Sequence, residues 1–303
     1  MSNLPSKNER VSGRKRSSAR NRGAGPDGCV LLSSVLEERR RTFVAQLARC
    51  QRRATEPALH DLRVATRRLI AVMDLADGIV SLDGGTRARR GLRKYLKGFN
   101  ALRDVHVQIL AVRRLHRSFR SLGAYQNSLR VRERQLLREA GKHCASVQTE
   151  ALHRRVQDLQ NALLAIGAHP ALAAAARSAI LGAAAGAFAR VAAMRQHVAP
   201  DDPRSIHRLR VAFKKFRYIL EILSPLLPWV TPALRKAMNT FQTAMGEVQD
   251  NEVFLAAVNA YAALPRRVPG PSLLDVREYL ARRKRETIEA FLQKADEAYR
   301  FWQ

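Results

Sequence analysis

The sequence predicts an all-α protein, and three observations support this fold class. Apolar residues recur every three or four positions from Val30 to the end of the chain, which is the spacing of amphipathic helices. No stretch alternates strictly between apolar and polar residues, as a half-buried strand would. The segments with helical spacing are separated by short connections rich in proline, glycine or aspartate. Apolar residues make up 46% of the 303 positions, enough for a sizeable hydrophobic core.

Each predicted helix is bounded by residues that start or stop helices. The eight predicted helices cover approximately residues 34–54, 56–78, 86–120, 124–167, 171–197, 204–223, 233–263 and 272–303. Ser33 and Ser34 are suited to cap the first helix, because a serine hydroxyl accepts a hydrogen bond from a free N–H of the first turn. Pro57 occupies an early position of the second helix, where proline is tolerated. Residues 83–85 form a turn before the third helix, and Gly123 marks a break before the long fourth helix.

The second half of the chain has its own helix boundaries. His169 and Pro170 separate the fourth helix from the fifth, and two prolines within residues 200–203 precede the sixth. Three prolines within residues 225–232 enclose the connection to the seventh helix, and a loop rich in proline and arginine at 264–271 precedes the eighth. Helices joined by such short connections are typical of antiparallel bundles.

The net charge limits the class of partner. The chain carries 54 Lys and Arg residues against 26 Asp and Glu residues, which gives a formal net charge of +28. This excess is hard to explain for an enzyme that acts on small neutral substrates, and it predicts a polyanionic partner: nucleic acid, an acidic membrane surface or a phosphate polymer. Residues 1–25 carry seven cations, one acid and almost nothing apolar, so they are predicted to form a disordered tail. That tail is either simply solvated or an electrostatic arm that adds affinity for a polyanion.

The cysteines and the lengths of the apolar runs favour a cytoplasmic protein. Cys29, Cys50 and Cys144 form no Cys-x-x-Cys pair, so neither a disulfide framework nor a cysteine-based zinc site is expected. No run of 18 or more apolar residues occurs, so no transmembrane helix is expected. The most apolar stretch, residues 171–193, is rich in alanine and glycine and contains Arg177 and Arg190. It is predicted to be a close-packed core helix.

The most informative feature is an internal duplication. The segment His60-Asp-Leu-Arg-Val-Ala-Thr-Arg-Arg-Leu matches His207-Arg-Leu-Arg-Val-Ala-Phe-Lys-Lys-Phe, with five of ten positions identical. An aspartate follows each segment, with Asp104 44 residues after His60 and Asp250 43 residues after His207. The chain is therefore predicted to contain two similar four-helix halves, residues 26–168 and 169–303, after the tail at 1–25. By analogy with isologous dimers, we expect the halves to pack about a pseudo-twofold axis.

Both copies place cations on the helix face opposite the apolar one. The predicted binding residues are His60, Arg63, Arg67 and Arg68 in the first copy, Arg90, Arg93, Lys94 and Lys97 on the third helix, and His207, Arg210, Lys214, Lys215, Arg217 and Tyr218 in the second copy. A solvated surface is the ordinary explanation for a charged helix face. Here the charge has one sign, and like charges one turn apart destabilise a helix. Their recurrence at matching positions of both copies therefore indicates a site for phosphate groups, which rows of cations about 5.4 Å apart are suited to contact.

These residues resemble the CHAD domain, the conserved-histidine α-helical domain. The family pattern His-x-x-Arg-x-x-x-(Arg/Lys)-(Arg/Lys) occurs at residues 60–68 and again at 207–215. A later family segment, Leu-Gly-x-x-Arg/Asn-Asp, is similar to Met245-Gly246-Glu247-Val248-Gln249-Asp250. The first copy departs from that segment, because Asn100 stands where glycine is usual. The resemblance covers about residues 30–300.

The resemblance implies a fold and a function. The implied fold is two four-helix bundles related by pseudo-twofold symmetry, with a basic groove or channel between them. The implied function is binding of inorganic polyphosphate, with location at polyphosphate granules in the cytoplasm of a prokaryotic cell. Many family members also carry a triphosphate tunnel enzyme domain, a β-barrel that nothing in this sequence resembles. We therefore expect a protein that binds polyphosphate without processing it, and without a cofactor.

Two other classes of function remain as alternatives. A nucleic-acid-binding protein would use the same basic surface, but most of the few aromatic residues lie on apolar stripes, where they cannot stack on bases. A polyphosphate hydrolase would need clustered carboxylates to hold a divalent ion, and no such cluster is evident in the sequence. His60 and His207 have no metal ligand three or four positions further on, so no metal site is expected there, and phosphate contact is the preferred role. Asp104 and Asp250 are expected to pair with Arg or Lys and orient them.

Overall fold

The computed structural model describes residues 27–80, 85–264 and 272–302, with side chains from Ala88 onward in the second range. The α-helices are α1 (Gly28–Arg52), α2 (Glu56–Val80), α3 (Gly85–Lys97), α4 (Asn100–Leu115), α5 (Gly123–Ala145), α6 (Glu150–Gly167), α7 (Pro170–Gln196), α8 (Pro203–Leu223), α9 (Pro232–Ala262) and α10 (Leu274–Leu292). The described residues also contain three short 3₁₀ helices and no β-strand. The predicted all-α class is confirmed. The predicted tail at 1–25 lies outside the described residues.

The first helix begins earlier than predicted. Asp27 caps it, because its carboxylate accepts a hydrogen bond of 2.7 Å from the backbone N–H of Cys29. Ser33, one of the two predicted caps, is inside α1 and buried, with 6% of its surface exposed. The prediction was wrong because aspartate is an equally good cap, and starting there buries Cys29 and Leu32 in the core.

The third and fourth predicted helices are each divided in two, so the described residues form ten α-helices where eight were predicted. The first break lies at Gly98 and Phe99, where the ring of His143 packs against the backbone. Its Nε2 lies 3.1 Å from the carbonyl oxygen of Tyr95, and a Cβ on Gly98 would approach that nitrogen to 2.7 Å. The second break covers residues 146–149, between α5 and α6. Apolar residues keep their three-to-four spacing across both breaks, so periodicity alone could not show them.

Helices from the two copies pack both within and between the halves. In the first half α1 packs on α2 and α6, and α4 packs on α5. In the second half α8 packs on α7 and α9, and α9 packs on α10. Helices that correspond in the duplication also contact one another, namely α1 with α7, α2 with α8 and α4 with α9. Isologous packing produces such contacts, and the pseudo-twofold arrangement of two four-helix bundles stays a prediction.

Helix α7 is far more exposed than a core helix. Only 17% of its most apolar 18-residue window is buried, with Ala176, Ile180, Ala184 and Val191 facing the interior. The predicted close-packed core helix is therefore wrong. Alanine has the highest helix propensity and exposes little apolar area, so an alanine-rich helix can remain at the surface. Among the residues described, α7 is also the one helix long and apolar enough to cross a membrane, which the lack of uninterrupted apolar runs did not predict.

Candidate functional site

Six cations from three helices converge where α2 and α8 meet. We call them the basic cluster: Arg63 and Arg67 on α2, Arg103 on α4, and Arg210, Lys214 and Arg217 on α8. The charges are close enough to act on one another, and Arg67, for example, repels both Arg103 and Arg210. The cluster therefore combines cations from both copies of the duplicated segment.

The helix faces explain why these side chains meet. Helix α2 buries Leu62 and Leu69 in the core, and α8 buries Leu209, Phe213 and Phe216. The opposite faces carry the cations, and α2 and α8 pack against each other. Because the neighbouring helices surround this contact, the cations are largely withdrawn from water; only 6% of the surface of Arg63 is exposed.

Burial destabilises the charges of the cluster. Burial first, and then repulsion by Arg67, Arg210, Arg217 and Arg63, lowers the pKa of Lys214 to about 7. Burial, with repulsion by Arg67 and Arg103, lowers the pKa of Arg63 to about 10. The pKa values of Arg67 and Arg210 are also lowered, chiefly by burial. A bound anion would oppose these effects, because an opposite charge within a few ångströms favours the protonated form.

Several hydrogen-bond donors of the cluster have no acceptor. Arg63 Nη1, Arg210 Nε and Arg217 Nε are buried and make no hydrogen bond with the residues that the structure describes. Leaving a buried donor unpaired costs about 1–3 kcal/mol, and more where the group is charged. Phosphate oxygens are suitable acceptors, because they can take charge-assisted hydrogen bonds from arginine.

Three carboxylates lie at the edges of the cluster. Arg103 forms ion pairs of 3.1 Å with Asp104 and 3.3 Å with Asp250, so it links α4 to α9 across the two halves. The expectation that both aspartates pair with a cation is confirmed for this arginine. Glu221 lies 3.3 Å from Arg217 and 3.7 Å from Arg68. These acids orient the outer cations, but Lys214 has no carboxylate partner among the described residues.

Gly246 lies against the guanidinium of Arg210. A Cβ at Gly246 would lie 3.7 Å from Arg210 Nε and 3.8 Å from Nη2, so the guanidinium packs directly over this turn of α9. In the first copy, Asn100 occupies the corresponding position and begins α4 just after the break at Gly98. The two copies have therefore diverged at this point, since α9 passes through it without interruption.

A cavity of about 650 Å³ opens beside the cluster, between α2, α3, α7 and α8. Its cationic lining consists of Arg67, Arg93, Arg190, Arg210, Lys214 and Lys215, together with the ring of Tyr218. Arg93 is held in place by an ion pair of 2.8 Å with Asp74. Ala183, Gly186 and Ala187 of α7 form part of the opposite wall. Their small side chains leave the space between the helices open.

The structure divides the residues predicted from sequence into two groups. Arg63, Arg67, Arg210, Lys214 and Arg217 meet in the cluster, with Arg68, Tyr218, Lys215 and Arg93 around it. The other group is exposed, and in the described part of the chain its side chains make no hydrogen bond or ion pair; it consists of His60, Arg90, Lys94, Lys97 and His207. The two histidines at the start of the duplicated motif are thus peripheral to the cluster.

Sequence reasoning omitted two cations from the site. Arg103 is next to Asp104, which recurs in both copies, and this neighbour could have identified it as a site residue. Arg190 lines the cavity from α7, and its place inside an otherwise apolar helix was a second signal. Neither was predicted as a binding residue, because Arg103 lies beyond the row of cations at 90–97 in the predicted third helix and Arg190 lies on a helix without such a row.

Comparisons with known proteins agree on one family. The model of the CHAD domain matches residues 34–259 and, in a second match, residues 190–301. The crystal structure of the CHAD domain from the plant Ricinus communis superposes with a TM-score of 0.65 at 17% identity, over 89% of this chain and 93% of that chain. PptA from Streptomyces chartreusis gives a TM-score of 0.60 at 17% identity, over 90% of this chain and 99% of that chain. At this identity the structures show likeness of fold alone, and no curated protein matches the sequence.

Proposed function

The chain belongs to the CHAD domain family, and from this premise we propose that it binds inorganic polyphosphate at the basic cluster without catalysing a reaction. The family supports the class of ligand, and the described site supports its location. We further propose that binding places the protein on cytoplasmic polyphosphate granules. Residues 63, 67, 210, 214 and 217 would contact the polymer most directly, and the exposed cations of α3 would extend the path along the surface.

One observation carries the proposal. The cluster brings together buried cations that lack enough carboxylates and hydrogen-bond acceptors. Buried cations from both halves repel one another, and the pKa of Lys214 is lowered to about 7 as a result of burial and this repulsion. Buried N–H groups of Arg63, Arg210 and Arg217 lack acceptors. A chain of phosphates supplies both the missing negative charge and the missing oxygens, and arginine can contact two oxygens of one phosphate at once.

The composition of the site favours phosphate alone over nucleic acid. Proteins that bind single strands add aromatic side chains on which the bases stack. Here Tyr218 is the aromatic residue that lines the cavity, and Arg217 and Lys214 lie over its ring, at 5.3 Å and 5.8 Å from the centroid. That ring therefore already contacts cations. A ligand made only of phosphates needs cations and no stacking surface.

A competition titration tests the proposal. Labelled long-chain polyphosphate is displaced by unlabelled polyphosphate, single-stranded DNA or duplex DNA at equal phosphate concentration and at two salt concentrations. We expect polyphosphate to compete at least about tenfold better, and its affinity to fall steeply with salt as counterions are released. Equal competition by the three polymers would contradict the proposal and favour nucleic acid as a partner. Release of free phosphate after addition of magnesium would contradict the non-catalytic assignment.

Matched variants locate the site. Replacing Arg67, Arg210 and Lys214 together by Gln should lower the affinity at least about 100-fold, because each removes a charge-assisted hydrogen bond. The variant should melt no lower than the wild type, since neutralisation also removes repulsion. The control neutralises three exposed arginines away from the cluster, which are Arg130, Arg138 and Arg154. If both variants lose affinity equally, binding depends on net charge and the cluster is not the site.

A further inference from the structure

A second group of polar side chains meets at the junction of α2, α4 and α5. Glu56 lies at the start of α2, His106 in the middle of α4 and Glu133 in the middle of α5. One donor atom of each residue lies within 4.8 Å of the donor atoms of the other two. The three residues are 50 and 27 positions apart in sequence, so only the fold brings them together.

The imidazole of His106 is half-buried, and its Nε2 is shielded from solvent beside a carboxylate. Its side chain is 12% exposed, and Nε2 makes no hydrogen bond with the described residues. Nε2 nevertheless lies 3.1 Å from Glu133 Oε1. The two atoms form an ion pair, and at this separation they are also close enough to be neighbouring ligands of a single ion. Donor atoms around a tetrahedral zinc ion, at about 2.0–2.2 Å from it, are separated by roughly 3.4 Å.

Neither carboxylate pairs with an arginine or lysine of the described residues, although the chain has about two cations for every acid. Glu133 is flanked by Arg132 and Arg134, yet its ion-pair partner in the described residues is His106. Arg132 donates instead to Gln135, at 2.8 Å. Glu56 forms no ion pair with any described residue. Among the described residues, the two carboxylates therefore converge on a histidine and not on an arginine or lysine.

We propose that Glu56, His106 and Glu133 bind a divalent transition-metal ion, with Zn²⁺ as the best match. An imidazole nitrogen with two carboxylate oxygens is a donor set that Zn²⁺ accepts, and three protein ligands leave a position for water. The ion would neutralise the two carboxylates and occupy the lone pair of Nε2. The exposed side chain of Glu56 can complete the site without repacking the core. This site is separate from His60 and His207, and it lies one helical turn along α4 from Arg103.

Titration of the full-length protein with Zn²⁺ tests the proposal, in buffer free of phosphate and chelators. Calorimetry should show one ion bound per chain, and Co²⁺ used as a probe should give the absorption of a four- or five-coordinate nitrogen and oxygen site. His106→Asn and Glu56→Gln should each lower the affinity at least about 100-fold. Glu56 is exposed, so its variant keeps the test valid even if His106→Asn folds poorly. The matched controls are His153→Asn and Glu278→Gln, which alter exposed residues elsewhere.

The outcomes of the titration distinguish a metal site from an ion pair between His106 and Glu133. Loss of Zn²⁺ binding in the Glu56 and His106 variants, with both controls unchanged, supports the site. Failure of the wild type to bind Zn²⁺ or Co²⁺ at micromolar concentration overturns it and leaves an ion pair between His106 and Glu133. Full binding by Glu56→Gln and His106→Asn also overturns it, since the ion would then be held elsewhere. Because no polyphosphate is present, none of these results depends on the proposed function.

Discussion

Lys214 should make polyphosphate affinity depend on pH near neutrality. Its pKa in the unliganded protein is about 7, because it is buried among arginines without a carboxylate. Bound phosphates favour the ammonium form and raise that pKa, so binding takes up a proton whenever the free amine is neutral. The protonated fraction of a group with this pKa falls from about 0.9 at pH 6 to about 0.1 at pH 8, so linkage predicts that affinity falls about tenfold across this interval.

Two measurements check this prediction. The first is the dissociation constant of long-chain polyphosphate at pH 6, 7 and 8 and constant ionic strength, for the wild type and Lys214→Arg. Arginine stays charged throughout, so the variant should show a flat profile and bind more tightly than the wild type at pH 8. The second is calorimetry at pH 7 in two buffers of different ionisation enthalpy, which should reveal uptake of about half a proton per site.

A wild-type affinity that does not change with pH would contradict the role given to Lys214. A tenfold decrease that persists in Lys214→Arg would also contradict it, because the titrating group would then lie elsewhere. His60 and His207, the exposed histidines at the start of the duplicated motif, provide a second check. If the affinity of the double variant His60→Asn/His207→Asn no longer depends on pH, the pH dependence of the wild type comes from the start of the duplicated motif.

Two further predictions concern the residues that support the cluster. Gly246→Ala should bind normally, because its Cβ makes ordinary contacts with Arg210, whereas Gly246→Leu should displace the guanidinium and lower the affinity about tenfold or more. Equal affinity of the two variants would show that Arg210 is not positioned by this turn. Asp250→Asn should lower the melting temperature by about 1–3 °C at low salt, because Arg103 loses a partly exposed counter-charge, and added polyphosphate should restore it. A decrease that polyphosphate does not reverse would mean that the carboxylate stabilises the helices directly.

The basic faces of α2 and α8 could be predicted because they are local features. The side chains of Arg63 and Arg67, or of Arg210 and Lys214, share a face through helix geometry alone. The duplication also indicated that the two basic faces would lie near each other, since two similar halves that pack together bring their corresponding helices into contact. The central cations of the site therefore needed no three-dimensional information beyond helical periodicity and the repeat.

Other features depended on contacts between distant parts of the chain. Gly98 weakens a helix locally, but the ring of His143 that packs against the backbone there comes from 45 positions further along the chain. The exposure of α7 depends on which of its faces the other helices cover, which hydropathy does not show. The meeting of Glu56, His106 and Glu133 depends on three helices, so a search for ligands three or four positions apart could not find it.

The duplication is imperfect at Arg103, which pairs with aspartates of both copies while its counterpart in the second copy is Gln249. The protein thus has distinguishable ends, whereas a linear phosphate chain has none. Reversing such a polymer in the groove yields the same set of contacts, so every bound stretch has two equivalent orientations, which favours binding by about 0.4 kcal/mol as a statistical factor of two. A nucleic-acid strand, which runs 5′ to 3′, would be bound in one preferred direction. Under the proposed function, the loss of symmetry in the protein therefore sets no binding direction along polyphosphate, and the polymer would be bound equally well in either orientation.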